Sequence, residues 1–376
     1  MNNNCFDTTR WRKVIIAVIL ILSAAILCFS VIRRGNEKDS ETSAGDDEIQ
    51  TQEEAASETE ASSAVESEPE TKSETEELIE YPAPEYEFTT EEVTIELDGV
   101  DEEYTIAWVS DLHLISDFEA GDELGDVHAE YLDALLERYE TLPVTEDGVH
   151  ANELWPEIVK YLNYNDFDGV IFGGDMMDYC SNSNIALIKE GLDSLRMRYI
   201  YVRADHDYGA YYGGVFFTET EAKELHKAID NDESSNKFWD MGGFLVLGID
   251  NSTKDMPDYY LNMVSEVLTR GKPVIMATHV PYEPKLDTYA ASLSELSMQV
   301  RSTIYYWSTS GELYNPNTVT SEYLELIYGE DTAVCQVLSG HLHASWDGML
   351  TQQVPQHIFD PAFSGSIGII HIVPKG

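Results

Sequence analysis

Residues 169–178, Gly169-Val170-Ile171-Phe172-Gly173-Gly174-Asp175-Met176-Met177-Asp178, set a short apolar run, a glycine pair and two carboxylates side by side. Gly169 to Phe172 shows no alternation of apolar and polar positions. That is the pattern of a strand covered on both faces, as in a sheet with helices packed against it. The two glycines allow a sharp turn, so Asp175 and Asp178 fall just past the carboxyl end of the strand. In open α/β sheets that is where ligands collect. The same arrangement recurs along the chain. Asp111-Leu112-His113 follows a strand ending at Val109, and Asp205-His206-Asp207 follows the run Tyr199 to Val202. His279 follows Pro273 to Ala277, and Gly340-His341-Leu342-His343 follows Leu338.

Between these turns the periodicity predicts helices around His128 to Tyr139, Asn152 to Asn163, Ile185 to Met197 and Pro257 to Thr269. Further strands are expected at Val93 to Leu97, Tyr104 to Val109 and Phe244 to Ile249, and the end of the chain from Val334 is strand-rich. Asp98-Gly99-Val100-Asp101 gives the first two strands a hairpin-like join. Residues 284–330 interrupt the rhythm and suggest a loop-rich insertion over a site. Strands alternating with amphipathic helices imply an α/β core.

Taken singly, each polar turn is ordinary: a D-x-H is usually just a loop, and a lone histidine beside a proline usually packs or faces solvent. Five of them in order, each at a strand end, point to a metal centre. Mixed carboxylate and imidazole ligands suit Mn, Fe or Zn, whereas Ca prefers oxygen alone. Two such ions can activate a shared water and neutralise phosphoryl oxygens.

The ordered set D-x-H, G-D-x-x-D, an H-D turn, H and G-H-x-H resembles the calcineurin-like metallophosphoesterase family over roughly residues 104–376. Pro361-Ala362-Phe363-Ser364-Gly365 also fits. The resemblance implies a two-sheet α/β sandwich flanked by helices and a metal-dependent phosphoric ester hydrolase. It implies one metal held by Asp111, His113, Asp175 and His343. Asp175 would bridge to a second metal, completed by Asp205, His279 and His341. His206 would stand beside the phosphate as proton donor, oriented by Asp207, and Asp178 would support the second turn. Attack would come from a hydroxide bridging the two metals. The family's third motif begins Gly-Asn where this chain has Ala204-Asp205. The extra negative charge should tighten cation binding and weaken Lewis acidity.

Upstream, residues 14–32 form an uncharged apolar run with basic residues on both sides. At 1.5 Å per residue it is long enough to cross a bilayer, and it is expected to be a signal anchor. Residues 1–13 would be a short cytoplasmic tail, and the rest would lie outside the cell membrane. Residues 33–86 read as a disordered acidic linker, since Glu37 to Glu80 holds 17 acidic and 2 basic residues. The domain is then 87–376, itself carrying 51 Asp plus Glu against 15 Lys plus Arg. Such a surface repels polyanions, so no nucleic-acid partner is expected. Four cysteines, two of them in or before the apolar run, make no disulfide framework, and Cys335 is expected to be a buried thiol.

The expected reaction is hydrolysis of a phosphomonoester or phosphodiester, from a small molecule or a cell-surface component. Cleavage of nucleotide or lipid-linked diphosphates is one alternative, and a metal-bearing binding module without catalysis is another. Substrate choice is placed in loop aromatics (Tyr208, Tyr211, Tyr212, Tyr282, Tyr305, Tyr306 and Trp307), which could equally be packing residues. Arg203 could meet phosphate or pair with a carboxylate.

Overall fold

The computed structural model describes residues 81–116, 132–209, 219–229, 237–252, 255–300 and 316–376. The tail, the apolar run and nearly all of the acidic linker lie outside these residues. So do His128 and the aromatics Tyr211, Tyr212, Tyr305, Tyr306 and Trp307. No helix among the described residues is long and apolar enough to cross a membrane.

Two mixed sheets flanked by helices make up the domain. The first sheet has the order β1 (Thr89–Leu97), β11 (Ser366–Pro374), β2 (Tyr104–Val109), β3 (Gly169–Phe172) and β4 (Tyr199–Tyr201). The second runs β5 (Phe238–Asp240), β6 (Leu245–Ile249), β7 (Val274–Thr278), β8 (Val334–Ser339), β10 (Pro355–Ile358) and β9 (Trp346–Met349). Pairing is parallel at the heart of each sheet, through β2–β3–β4 and β6–β7–β8–β10.

The two-residue period of a strand explains how the layers assemble. In β2, Ile106 and Trp108 face the second sheet and pack with Phe244, Val246, Ile275, Leu338 and Phe359. Ala107 and Val109 face outward, where they meet Trp155, Ile158 and Leu162 of α2 (Ala151–Tyr164) and Ile185, Ile188 and Leu192 of α3 (Asn182–Asp193). The second sheet is covered likewise. Leu245, Leu247, Val274, Met276 and Val337 pack under α6 (Asp258–Leu268) and α8 (Thr318–Tyr328). Enclosed on both sides, β3, β6 and β7 are buried throughout, which is why their sequences are nearly continuous apolar runs.

The remaining helices are α1 (Leu132–Thr141), the single turn α4 (Asp205–Tyr208), α5 (Glu219–His226) and α7 (Asp287–Val300). Two expectations need correction. β1 and β2 are not a hairpin, because β11 lies between them, parallel to β1 and antiparallel to β2. The Asp98 to Asp101 turn, with Gly99 at φ 81°, therefore crosses over a strand contributed by the far end of the chain. Residues 284–330 are not loop throughout, since they hold α7 and α8, the latter capped by the Asn317 side chain accepting from Thr320 N at 2.8 Å. Cys335 is half-buried, its Sγ 3.3 Å from the Val274 carbonyl, and burial pushes its thiol up to about 12.

Candidate metal centre

β2, β3, β4, β7 and β8 all end at the same edge of the domain, and backbone hydrogen bonds lace the turns that follow them. Asp111 N donates to Gly174 O at 2.9 Å, His113 N to Asp175 O at 2.9 Å, and Gly340 N to His279 O at 3.1 Å. Six described non-glycine residues have left-handed φ. Five of them are Asp111 (54°), His113 (50°), Asp175 (51°), His341 (73°) and His343 (53°). Each such residue costs about 1–3 kcal/mol of strain, which the surrounding bonds must hold in place. The glycines beside them are there for close approach. A Cβ on Gly173 would lie 2.1 Å from the Trp108 ring, and one on Gly340 would lie 2.3 Å from Asp111 Oδ2.

The expected residues gather into three groups, each with its side-chain donor atoms within 4.8 Å of one another: Asp111, His113 and His343; Asp175, His279 and His341; and His113, Asp178 and His206. His113 Nε2 and His343 Nε2 are 3.1 Å apart, and His343 Nε2 is 3.4 Å from Asp111 Oδ1. His279 Nε2 is 3.0 Å from Asp175 Oδ2 and 3.2 Å from His341 Nδ1. Asp175 Oδ2 also lies 3.9 Å from His113 Nε2, so this carboxylate stands between the first two groups.

The far side of each ring fixes which nitrogen faces the centre. His113 Nδ1 donates to Asp178 Oδ1 at 2.8 Å, and His279 Nδ1 donates to Gly173 O at 2.9 Å. With Nδ1 engaged outward, both rings turn Nε2 toward the centre, the orientation that outer-shell partners impose on metal-binding histidines. Asp111 is held from behind by His341 N, at 3.0 and 3.1 Å from its two oxygens.

Titration follows burial and neighbouring charge. Burial, and then the charge of His279, press His341 down to about 4, while burial lowers His113 against the pull of Asp178. Burial opposes ionisation of Asp111, yet His343 and His279 outweigh it and bring the carboxyl to about 2. Burial also works against a charged His206, but Asp175 and Asp178 overcome it and raise the imidazole.

The sequence model of the calcineurin-like phosphoesterases matches residues 104–345. The chain belongs to that family. Solved structures with a similar course include a dimetal phosphatase from Danio rerio, at 9% identity over 69% of this chain and 88% of that one, with a TM-score of 0.39. A purple acid phosphatase from yellow lupin (Lupinus luteus) seeds matches at 13% identity, 72% and 45% coverage and a TM-score of 0.36. The phosphopantetheinyl hydrolase of Mycobacterium tuberculosis matches at 14%, 70% and 91%, with 0.33. No curated protein matches. This calcineurin-like phosphoesterase is a metal-dependent phosphoester hydrolase.

The donor set of this phosphoesterase fits a pair of cations. Asp175 Oδ1 and Asp205 Oδ1 are both buried with no hydrogen-bond partner. A buried carboxylate oxygen without a donor costs several kcal/mol, roughly the penalty that a bound cation removes. Asp205 is not in any of the three groups, although its charge raises His206 and His279.

Asp207 ties the metal-site turns together. Its carboxylate accepts from Asp175 N, Met176 N, Met177 N and Ala204 N at 2.9–3.3 Å and from the Tyr201 hydroxyl at 2.9 Å. It pins the second turn to the third, and burial, with Asp175 nearby, pushes it up to about 7. The partner of His206 Nδ1 is Asp178, through its carbonyl at 2.8 Å and with Oδ1 at 3.4 Å.

Arg203 meets His226, its Nε donating to His226 Nδ1 at 2.8 Å. Tyr282 is a core residue bonded to the Tyr323 hydroxyl, and Tyr208 packs against the His226 ring. Two neighbours were missed in the sequence. Phe363 lies edge-on to His343 at 5.0 Å, and Arg138 binds Asp178. Phe363 sits within the quoted 361–365 stretch, but nothing in the sequence ties Arg138 to a residue forty positions downstream.

Proposed function

We propose that this phosphoesterase hydrolyses a phosphomonoester or phosphodiester at the centre formed by Asp111, His113, Asp175, Asp205, His279, His341 and His343. The observation that carries the reading is the joining of two His/Asp groups through Asp175, with buried carboxylate oxygens left lacking donors. Asp111, His113 and His343, with Asp175, would hold one ion; Asp175, Asp205, His279 and His341 would hold the other. Mn, Fe or Zn suits this mixture of imidazole and carboxylate. When bound, the pair would acidify water and offset the charge on the phosphoryl oxygens.

The residues around the centre have separate tasks. His206 turns Nδ1 to Asp178 and so leaves Nε2 to face a leaving oxygen. As an imidazolium, favoured by Asp175 and Asp178, it gives that proton to the departing alkoxide. Asp178 holds His113 and His206 in register, and Asp207 secures the turn that carries Asp175.

Metal analysis of the purified protein comes first, followed by turnover of p-nitrophenyl phosphate and its bis ester with and without Mn²⁺. Two ions per chain and turnover of either ester are expected. Failure on both esters and on a panel of diphosphates would overturn the catalytic reading.

The chain is further proposed to be anchored through residues 14–32, with the short tail 1–13 inside the cell membrane. Residues 33–86 would be an acidic linker and the catalytic domain 87–376 would lie outside. The uncharged length of that run and its flanking basic residues support this placement.

A further inference from the structure

We infer that Arg138 is a positioning residue of the catalytic centre, orienting His113 and His206 together through the one carboxylate of Asp178. The inference rests on the proposed role of His206 as proton donor.

Arg138 lies in the last turn of α1, the first of two described helices between the first and second metal-site turns. Its Nε is 2.7 Å from Asp178 Oδ2 and 2.9 Å from Oδ1, and its NH2 nitrogen is 2.6 Å from Oδ1. Both side chains are withdrawn from water, at 13% and 1% exposure. A planar guanidinium with two nitrogens on a carboxylate fixes the carboxylate plane as well as its position, which a lysine cannot do.

That plane has consequences at two rings. Asp178 Oδ1, the oxygen reached by both Arg138 nitrogens, also accepts from His113 Nδ1 at 2.8 Å and lies 3.4 Å from His206 Nδ1. The two rings meet edge to face at 4.7 Å, so a turn of the carboxylate displaces both. His113 would lose the bond that keeps its Nε2 aimed at the centre. His206 would lose the nearby carboxylate that sets its direction. Asp178 therefore serves one ring that binds a cation and one that moves a proton, and Arg138 is what keeps it from serving only one of them.

In the chemical step, a water oxygen forms the new bond to phosphorus as the bond to the leaving oxygen breaks. The leaving oxygen takes its proton from His206 Nε2, and the proton shed by water returns to solvent. p-Nitrophenolate needs little help from an acid, whereas an alkoxide needs a great deal. Loss of proton donation therefore shows as a dependence on the leaving group, which a general loss of folding does not produce.

The test compares wild type, Arg138→Gln, Arg138→Lys and His206→Asn as full-length proteins, on p-nitrophenyl phosphate and on a simple alkyl phosphate. Bound metal is measured for each variant. For Arg138→Gln we expect a kcat loss of about tenfold to a hundredfold on the alkyl ester, no more than the lower end of the roughly 10²–10⁴-fold that general acid catalysis supplies, because the donor is misplaced and not removed, and a clearly smaller loss on the nitrophenyl ester. Arg138→Lys should recover only part of the difference, and guanidinium ion added to Arg138→Ala should recover more. Ring nitrogen NMR of the zinc-loaded protein should show His206 and His113 both shifted in Arg138→Gln. Equal losses on the two esters, or unshifted rings, would overturn the inference. If His206→Asn itself shows no dependence on leaving group, the fault lies in the role given to His206. A dependence in His206→Asn that is absent from Arg138→Gln refutes only the role given to Arg138.

Discussion

Asp205 is where this chain departs from the Gly-Asn of its family's third motif, and the change can be tested at one atom. Its Oδ1 is buried and has no donor. Asp205→Asn keeps the oxygen and removes a charge, so the protein should still bind two ions while the preferred ion or the pH optimum of turnover shifts. Element analysis and a pH–rate profile check this, and loss of both ions would refute the place assigned to Asp205. Asp207 carries a different kind of weight. Asp207→Ala leaves the N–H groups of Asp175, Met176, Met177 and Ala204 without their acceptor. Each buried orphan costs about 1–3 kcal/mol before relaxation, so a net loss of about 3 kcal/mol or more is expected in urea unfolding. Metal affinity should fall with it, because the Asp175 turn would no longer be held in its left-handed conformation.

At the scale of elements, His357 of β10 joins the two sheets. Its Nδ1 lies 2.6 Å from Asp347 on β9, and its Nε2 lies 3.1 Å from Glu91 on β1. Burial opposes charge on the imidazole, but Glu91 and Asp347 prevail and raise it above 6.5. Burial likewise opposes charge on Glu91, and bonds from His357, Ser345 and Asp360 bring it below 4.5. The neighbouring Asp360 carboxyl is pushed up by burial and by Glu91. Stabilisation from His357 is complete below pH 6.5 and fades as pH rises through the raised value. Stabilisation from Glu91 is complete above pH 4.5 and fades as pH falls through the lowered value. The pair contributes most between those limits. His357→Gln should therefore lower the melting temperature by several degrees near pH 6, with a smaller difference at pH 9. A difference independent of pH would show that packing, not charge, is what was lost.

Elements also differ in how clearly the sequence announces them. β3 and β7 are buried at every position and almost wholly apolar because helices and the opposite sheet enclose them, so a short run suffices to find them. The β1–β2 pairing misleads because the true neighbour, β11, comes from the chain's far end, and local alternation says nothing about partners. α7 was hidden because only Leu293 and Ser297 are buried along it, which leaves almost no apolar stripe to read. The metal-site turns were legible because their chemistry allows few residue types at fixed spacing. Arg138 was not, because one arginine on a helix carries no sign of a carboxylate far along the chain.

At the scale of the whole molecule, the proposed anchor makes a direct prediction. The full-length protein should sediment with membranes, resist a high-salt wash and come free in detergent, and its activity should be accessible from outside intact cells. Release by salt alone would refute the anchor.

The first described residues approach the domain from one side. Tyr81 lies against Arg196, just ahead of β4, at 5.5 Å from ring to guanidinium, and with Pro82 it lines a groove beside Lys160, Asn163 and Ser194. These neighbours stand at the amino ends of β3 and β4, whereas the metal-site turns follow the carboxyl ends. If the proposed anchor holds, the acidic linker of residues 33–86 decides whether the site meets esters of its own bilayer or only those that arrive from elsewhere. Reconstituted in vesicles, the protein should separate the two cases by its relative rates on a lipid-borne ester in its own bilayer and on the same ester in separate vesicles. Equal rates on both would show that the linker does not direct the site to its own bilayer.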